Sequence, residues 1–103
     1  MAEPMKIRAS LVGDATEVKV LMSHEMETGQ RKDAQGQAIP AWFIQNVTVA
    51  WNDKTVLSAQ WGPAVAKNPF LSFKFKGGAK GDRISITWVD TRGDTRTDGA
   101  VIA

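Results

Sequence analysis

A chain of 103 residues is the size of one domain, expected over residues 1–103, and is long enough to bury about two thirds of its unfolded surface without staples. Thirteen basic against eleven acidic residues leave a formal charge of +2, which makes no electrostatic case for nucleic acid, where many clustered cations must displace counterions. Cysteine is absent, which excludes disulfides, thiolate metal sites and cysteine nucleophiles.

The N-terminal stretch Met1-Ala2-Glu3-Pro4-Met5-Lys6 holds no apolar run of the length a signal peptide or membrane span requires. Taken alone, the chain is therefore expected in the cytoplasm or delivered by another protein. Met5 to Val12 alternates, with Ile7, Ala9 and Leu11 on one side and Lys6, Arg8 and Ser10 on the other, the period of a half-buried strand. Gly13-Asp14 turns it, and Glu17 to Met22 alternates again, with Val18, Val20 and Met22 apolar, so the pair reads as a hairpin.

Met22 to Asp33 then breaks the pattern and gathers the only histidine, Glu25 and Glu27, a second methionine and a glycine. A loop of this length is uncommon in a small domain unless it binds something or pairs with another chain. Past Pro40, the run from Trp42 to Trp51 is aromatic and β-branched and is expected as a central strand, with Phe43, Val47, Val49 and Trp51 on one parity. Asn52-Asp53-Lys54 supplies turn chemistry, and Thr55 to Trp61 returns.

Gly62 to Pro69 contains two prolines that cannot donate to a ladder, so pairing stops there and a second irregular connection begins. Phe70 to Lys76 alternates, with Leu71, Phe73 and Phe75 inward. Gly77 to Asp82 turns the chain, Ile84, Ile86 and Trp88 form the next inward row, and Thr95 to Ala103 closes the chain after an Arg92-Gly93-Asp94 turn. About seven short strands, and no segment with a helical period, predict an all-β fold, an immunoglobulin-like antiparallel sandwich. Ile7, Val18, Val20, Val47, Val49, Leu57, Phe73, Phe75, Ile84, Ile86 and Trp88 should lie largely inside, with Trp42, Trp51, Phe73, Phe75 and Trp88 taking the part of the missing disulfide.

Candidate chemistry is sparse. His24 with Glu25 and Glu27 is a poor ligand set for zinc or copper, so His24 is expected in a polar interface or a solvated loop, with no metal and no cofactor. Met22 is expected to end a buried row, while Met26 could equally serve an adaptable apolar contact. Lys74, Lys76, Lys80 and Arg83 read either as a docking patch for an acidic partner or, more simply, as a solubilising outer face. Trp61-Gly62-Pro63 and Asn68-Pro69-Phe70 bracket the second irregular connection, where Trp61 and Phe70 read equally as interface anchors or as caps on the core.

The loop His24-Glu25-Met26-Glu27-Thr28-Gly29-Gln30-Arg31-Lys32-Asp33, the Pro40-Ala41-Trp42-Phe43-Ile44 segment and Asn68-Pro69-Phe70-Leu71-Ser72-Phe73 together resemble the SoxZ family over nearly the whole chain. Glu25 departs from the proline that many members of that family carry there, a change of loop stiffness. The resemblance implies a non-catalytic subunit of a heterodimeric sulfur carrier, paired with a SoxY-like chain whose C-terminal cysteine bears thiosulfate-derived intermediates. It further implies transient docking to the enzymes of that pathway, no membrane partner, and a periplasmic home reached by co-export with a signal-bearing partner. Met22, His24, Glu25, Met26, Thr28, Gly29, Arg31, Trp61, Pro63, Asn68, Pro69 and Phe70 are the expected partner-binding residues. The alternatives are a generic immunoglobulin-like recognition or adhesion module and a metal-dependent redox domain, the latter short of ligands.

Overall fold

The alternating runs become seven strands in the computed structural model, which describes residues 3–103. They are β1 (Lys6–Val12), β2 (Ala15–Leu21), β3 (Ile44–Trp51), β4 (Lys54–Gln60), β5 (Phe70–Lys76), β6 (Arg83–Asp90) and β7 (Thr95–Val101). Met1 and Ala2, part of the stretch read above for a leader, lie outside the described residues. All pairing between these strands is antiparallel, in a three-stranded sheet, β1-β2-β5, and a four-stranded sheet, β4-β3-β6-β7. The two sheets pack as the immunoglobulin-like sandwich that the alternation predicts. The fourth strand, however, joins β3 rather than the sheet of β1, β2 and β5, where constant-type immunoglobulin domains place it.

The core is more aliphatic than expected. Val18, Val20, Met22, Ile44, Val47, Val49, Ile84, Ile86 and Ile102 are almost wholly buried around Trp88, whereas Ile7, Leu57, Phe73 and Phe75 pack on them half-buried. Of the five rings expected to replace the disulfide, only Trp88 is fully buried. Trp51 and Phe75 touch with centroids 5.3 Å apart, and Trp42 lies outside β3 altogether. A register irregularity between Ile44 and Asn46 explains the displaced parity. Ile44 faces Asp90 while Asn46 faces Val89, so Gln45 is the extra residue and Ile44, not Phe43, turns fully inward.

Between β2 and β3, residues 27–42 leave the sheets as a narrow two-stranded excursion, exposed throughout from Gln30 to Ala38. Bridges Glu27–Trp42 and Lys32–Ala38 hold it, with N–H···O bonds from Asp33 to Gln37 at 2.9 Å and from Ile39 to Arg31 at 2.8 Å. The molecule as a whole is elongated, 53 × 21 × 19 Å.

The two outer faces differ in chemistry. On the four-stranded sheet the rows Gln60-Asn46-Val89-Thr95, Ser58-Thr48-Thr87-Thr97 and Thr55-Ala50-Ser85-Gly99 carry no charged residue. The three-stranded sheet carries lysines and arginine. Lys74 and Lys76 belong to that face, whereas Arg83 opens β6 in the other sheet and Lys80 sits in the turn between the sheets, so these four do not form one patch.

Candidate functional site

Two inward rows run past the ends of their strands and finish on polar residues. Thr16, Val18, Val20 and Met22 are buried at alternate positions, and the same period continues to His24 and Met26 after β2 has ended. On the opposite sheet Ile84, Ile86 and Trp88 lead to Asp90, the last residue of β6. The two polar ends meet: His24 Nε2 and Asp90 Oδ2 are 3.0 Å apart.

The arrangement around this contact fixes its protonation geometry. Met26 N–H donates to His24 Nδ1 at 3.1 Å, so Nδ1 is the acceptor and the ring proton sits on Nε2, donated to Asp90. Trp42 Nε1–H donates to the same Asp90 oxygen at 2.7 Å. The other oxygen, Oδ1, accepts the backbone N–H of Arg92 at 2.9 Å and of Asp94 at 3.0 Å, which shapes the turn into β7. Burial alone would raise the Asp90 carboxyl, but the hydrogen bonds from His24, Trp42 and these two amides outweigh it and hold it below the usual carboxylate range.

Two indole rings pack against the His24 imidazole. His24 lies 4.9 Å from the Trp42 centroid and meets Trp88 edge-on at 5.2 Å, and the Arg92 guanidinium covers Trp42 at 4.2 Å. Among the described residues, the indole N–H of Trp88 finds no acceptor. The solvated-loop position expected for His24 is therefore corrected: the side chain is only 6 % exposed and both ring nitrogens are committed. The physical reason is the even-numbered row that carries it inward. Such a histidine is not poised as a general base, since neither nitrogen is free to take a proton from a substrate. Among the described residues, no three His, Cys, Asp or Glu side chains are grouped to hold a metal ion.

The two irregular connections come together at this end of the sandwich. Met22 N–H donates to Pro69 O at 2.9 Å, Asn68 N–H to His24 O at 2.9 Å, and His24 N–H to the Asn68 side chain at 3.1 Å. One cleft of ≈ 460 Å³ is lined by Ser23, His24, Trp42, Trp88, Asn68 and Arg92, among others. A second, of ≈ 480 Å³, lies between Met26, Thr28 and Arg31 on one side and Pro63 and Val65 on the other. Glu25 and Lys67 line both clefts and pair at 3.3 Å.

The expected partner-binding residues divide accordingly. Glu25, Thr28, Arg31, Pro63 and Asn68 are exposed around the clefts. Met22, Met26 and Pro69 are buried, Met26 with a left-handed φ of 51° and its Sδ accepting the Ile44 N–H at 3.3 Å. Gly29, at φ 88°, sits so close to Ala41 that a Cβ would meet it at 3.2 Å, and Trp61 packs half-buried against the core. Arg31 grips Glu27 with a two-pronged guanidinium, holding that carboxyl below its usual range. Phe70 stands apart on the outer face of the three-stranded sheet, in neither cleft.

Asp90, Trp42, Trp88 and Arg92 were not among the expected site residues. The signal for Asp90 was available: a carboxylate occupying the fourth place of an inward row needs a buried partner.

Residues 5–101, nearly the whole chain, match the family model described as sulphur oxidation protein SoxZ. No curated protein matches the chain.

Proposed function

Because the chain belongs to the SoxZ family of sulphur oxidation proteins, we propose that it is the thiol-free subunit of a two-chain sulfur carrier. In this reading it pairs with a SoxY-like chain whose C-terminal cysteine bears thiosulfate-derived intermediates, and it performs no chemistry itself. The family match over residues 5–101 is the observation that carries the proposal. Its composition agrees with the role. With no cysteine among 103 residues it offers no thiolate to hold a persulfide, and thioethers such as Met26 cannot release cargo by thiol exchange. A second thiol beside the carrier cysteine would also compete for that cargo.

The clefts at the His24 end are the proposed contact region, with Glu25, Thr28, Arg31, Pro63 and Asn68 as touching residues and His24, Met22, Met26 and Pro69 as the buried support beneath them. Trp61 and Gly29 belong to that support. Holding the partner's cysteine arm near successive active sites raises its effective concentration there. A periplasmic location, reached by co-export with a signal-bearing partner, completes the proposal.

The test is intact-mass spectrometry of the co-expressed pair after turnover with thiosulfate. Added sulfur is expected on the partner alone. A reducible sulfur adduct on this chain, or thiosulfate turnover by it in isolation, refutes the reading.

A further inference from the structure

The outer face of the β1-β2-β5 sheet concentrates charge that the composition hides. Antiparallel register sets Lys6 beside Leu21 and Phe70, Arg8 beside Lys19 and Ser72, and Glu17 between Ser10 and Lys74. With Lys76 in the next row, five exposed cations share this face with one carboxylate, Glu17, whose oxygen lies 3.6 Å from Lys19 Nζ. Five cations less one carboxylate make +4, and the whole chain carries +2, so everything else sums to −2. A molecule that looks nearly neutral is polarised.

At one end of the face lies an apolar element that solubility does not explain. Phe70 is 62 % exposed and Leu21 40 %, and with Lys6, Arg8 and Lys19 they line a shallow hollow of ≈ 280 Å³. Lysines on a sheet guard against unwanted pairing, but that role does not call for an exposed phenylalanine in their midst.

We propose that this face docks an acidic protein surface, which sets an apolar side chain against Phe70 and rings it with carboxylates that meet Lys6, Arg8, Lys19 and Lys74. Charge complementarity selects the occupant. A basic or uncharged surface would leave the ammonium groups unpaired as water was expelled, and a second copy applied through the same face would meet +4 with +4. Lysine is depleted from stable interfaces but effective at steering encounter, so the contact is a fast, reversible and salt-sensitive one. The inference rests on reading the chain as a carrier subunit visited by several enzymes, and it assigns the face by which they arrive. Phe70 directly follows Asn68 and Pro69, so a docked enzyme reaches the edge of the first cleft.

The test uses the assembled heterodimer as substrate for a purified enzyme that loads or unloads the partner's cysteine, with heterodimer affinity and thermal stability measured alongside. For the native pair, kcat/KM should fall steeply as salt rises from roughly 50 to 500 mM. Lys19→Glu with Lys74→Glu should lower the low-salt value by about tenfold or more and flatten the salt dependence, while Phe70→Ser lowers it and leaves the salt slope in place. The neutral pair Lys19→Gln and Lys74→Gln, milder for folding, should give an intermediate loss. Unchanged rates and salt slope in folded variants overturn the inference alone. Loss of heterodimer affinity in the charge variants also overturns it, making the face the permanent interface while the carrier reading stands. Failure of the native chain to pair with any cysteine-tailed partner removes the carrier reading and this inference with it.

Discussion

The 3.0 Å contact between His24 Nε2 and Asp90 Oδ2 joins the chain leaving β2 to the end of β6, linking the two sheets through the pair of strands that antibody domains bridge with a disulfide. Here the link is a hydrogen bond between an imidazole and a carboxylate, closed over by indoles. Its strength depends on every donor around Asp90 being present.

Asp90→Ala should therefore be among the most damaging single substitutions. It strands the His24 and Trp42 ring donors and the amides of Arg92 and Asp94, at a cost of about 3–5 kcal/mol. Asp90→Asn keeps an acceptor and should cost roughly 1–3 kcal/mol. Urea denaturation measures both, and a loss for Asp90→Ala smaller than about 1 kcal/mol would show the network to be incidental.

Stability should fall in acid. The Asp90 carboxyl is depressed in the fold, with burial opposing and the four hydrogen bonds prevailing, and the Asp98 carboxyl is depressed chiefly by the Arg96 fork. A depressed folded value means that the stabilisation is present above the unfolded carboxylate value, about 3.9, and is lost as pH drops through the folded one. Thermal midpoints should be level above that value and decline below it, with a shallower decline in Asp90→Asn. Equal acid slopes for the two proteins would remove Asp90 from the account.

Trp88 presents, in the middle of the core, a donor without an acceptor among the described residues. Trp88→Phe removes that donor along with some volume, so it should cost no more than about 1–2 kcal/mol, against about 3–5 kcal/mol for Trp88→Ala. Near-equal losses in calorimetry would mean that the indole N–H is satisfied in solution.

Gly78 has no room for a side chain. Its φ is +96°, and a Cβ there would lie 2.1 Å from Thr16 Oγ1, which is itself buried and bonded to Gly77 O at 2.8 Å. Gly78→Ala should destabilise by roughly 2–4 kcal/mol, combining strain with displacement of Thr16. An unchanged denaturation midpoint would contradict the close approach.

Met26→Ala and Phe70→Ala should separate folding from binding. Met26 is buried and accepts a hydrogen bond, so its truncation costs about 2–4 kcal/mol of stability before any partner is considered. Phe70→Ala should leave stability within about 0.5 kcal/mol, which makes it the informative variant in a binding assay. A large stability loss at Phe70 would disqualify that use.

Much of the sandwich was legible because alternation is local: β5 runs from Phe70 to Lys76 as its pattern indicates, and the Val18-Val20-Met22 row is buried. The bulge at Gln45 was not legible, since one extra residue reverses parity without altering composition. The His24 site was half legible. Its two clefts are built from the two segments that break the strand pattern, but its polar heart joins residues 24, 42 and 90, and no local period connects positions that far apart. The charged face was missed for a related reason: Lys6, Lys19 and Lys74 become neighbours only through strand register.

The excursion at residues 27–42 gives the chain a natural seam. Its exposed tip is held by bonds within itself, so it can open locally while the sheets stay closed, and Arg31 and Lys32 on it are accessible to trypsin. A single cut there would divide the protein into a piece carrying β1 and β2 and a piece carrying the other five strands. The β2–β5 ladder, the shared core and the His24–Asp90 bond would still hold the halves together. The molecule should therefore behave as a pair of complementing fragments, able to be nicked at the arm, dissociated in denaturant and reassembled from its two parts.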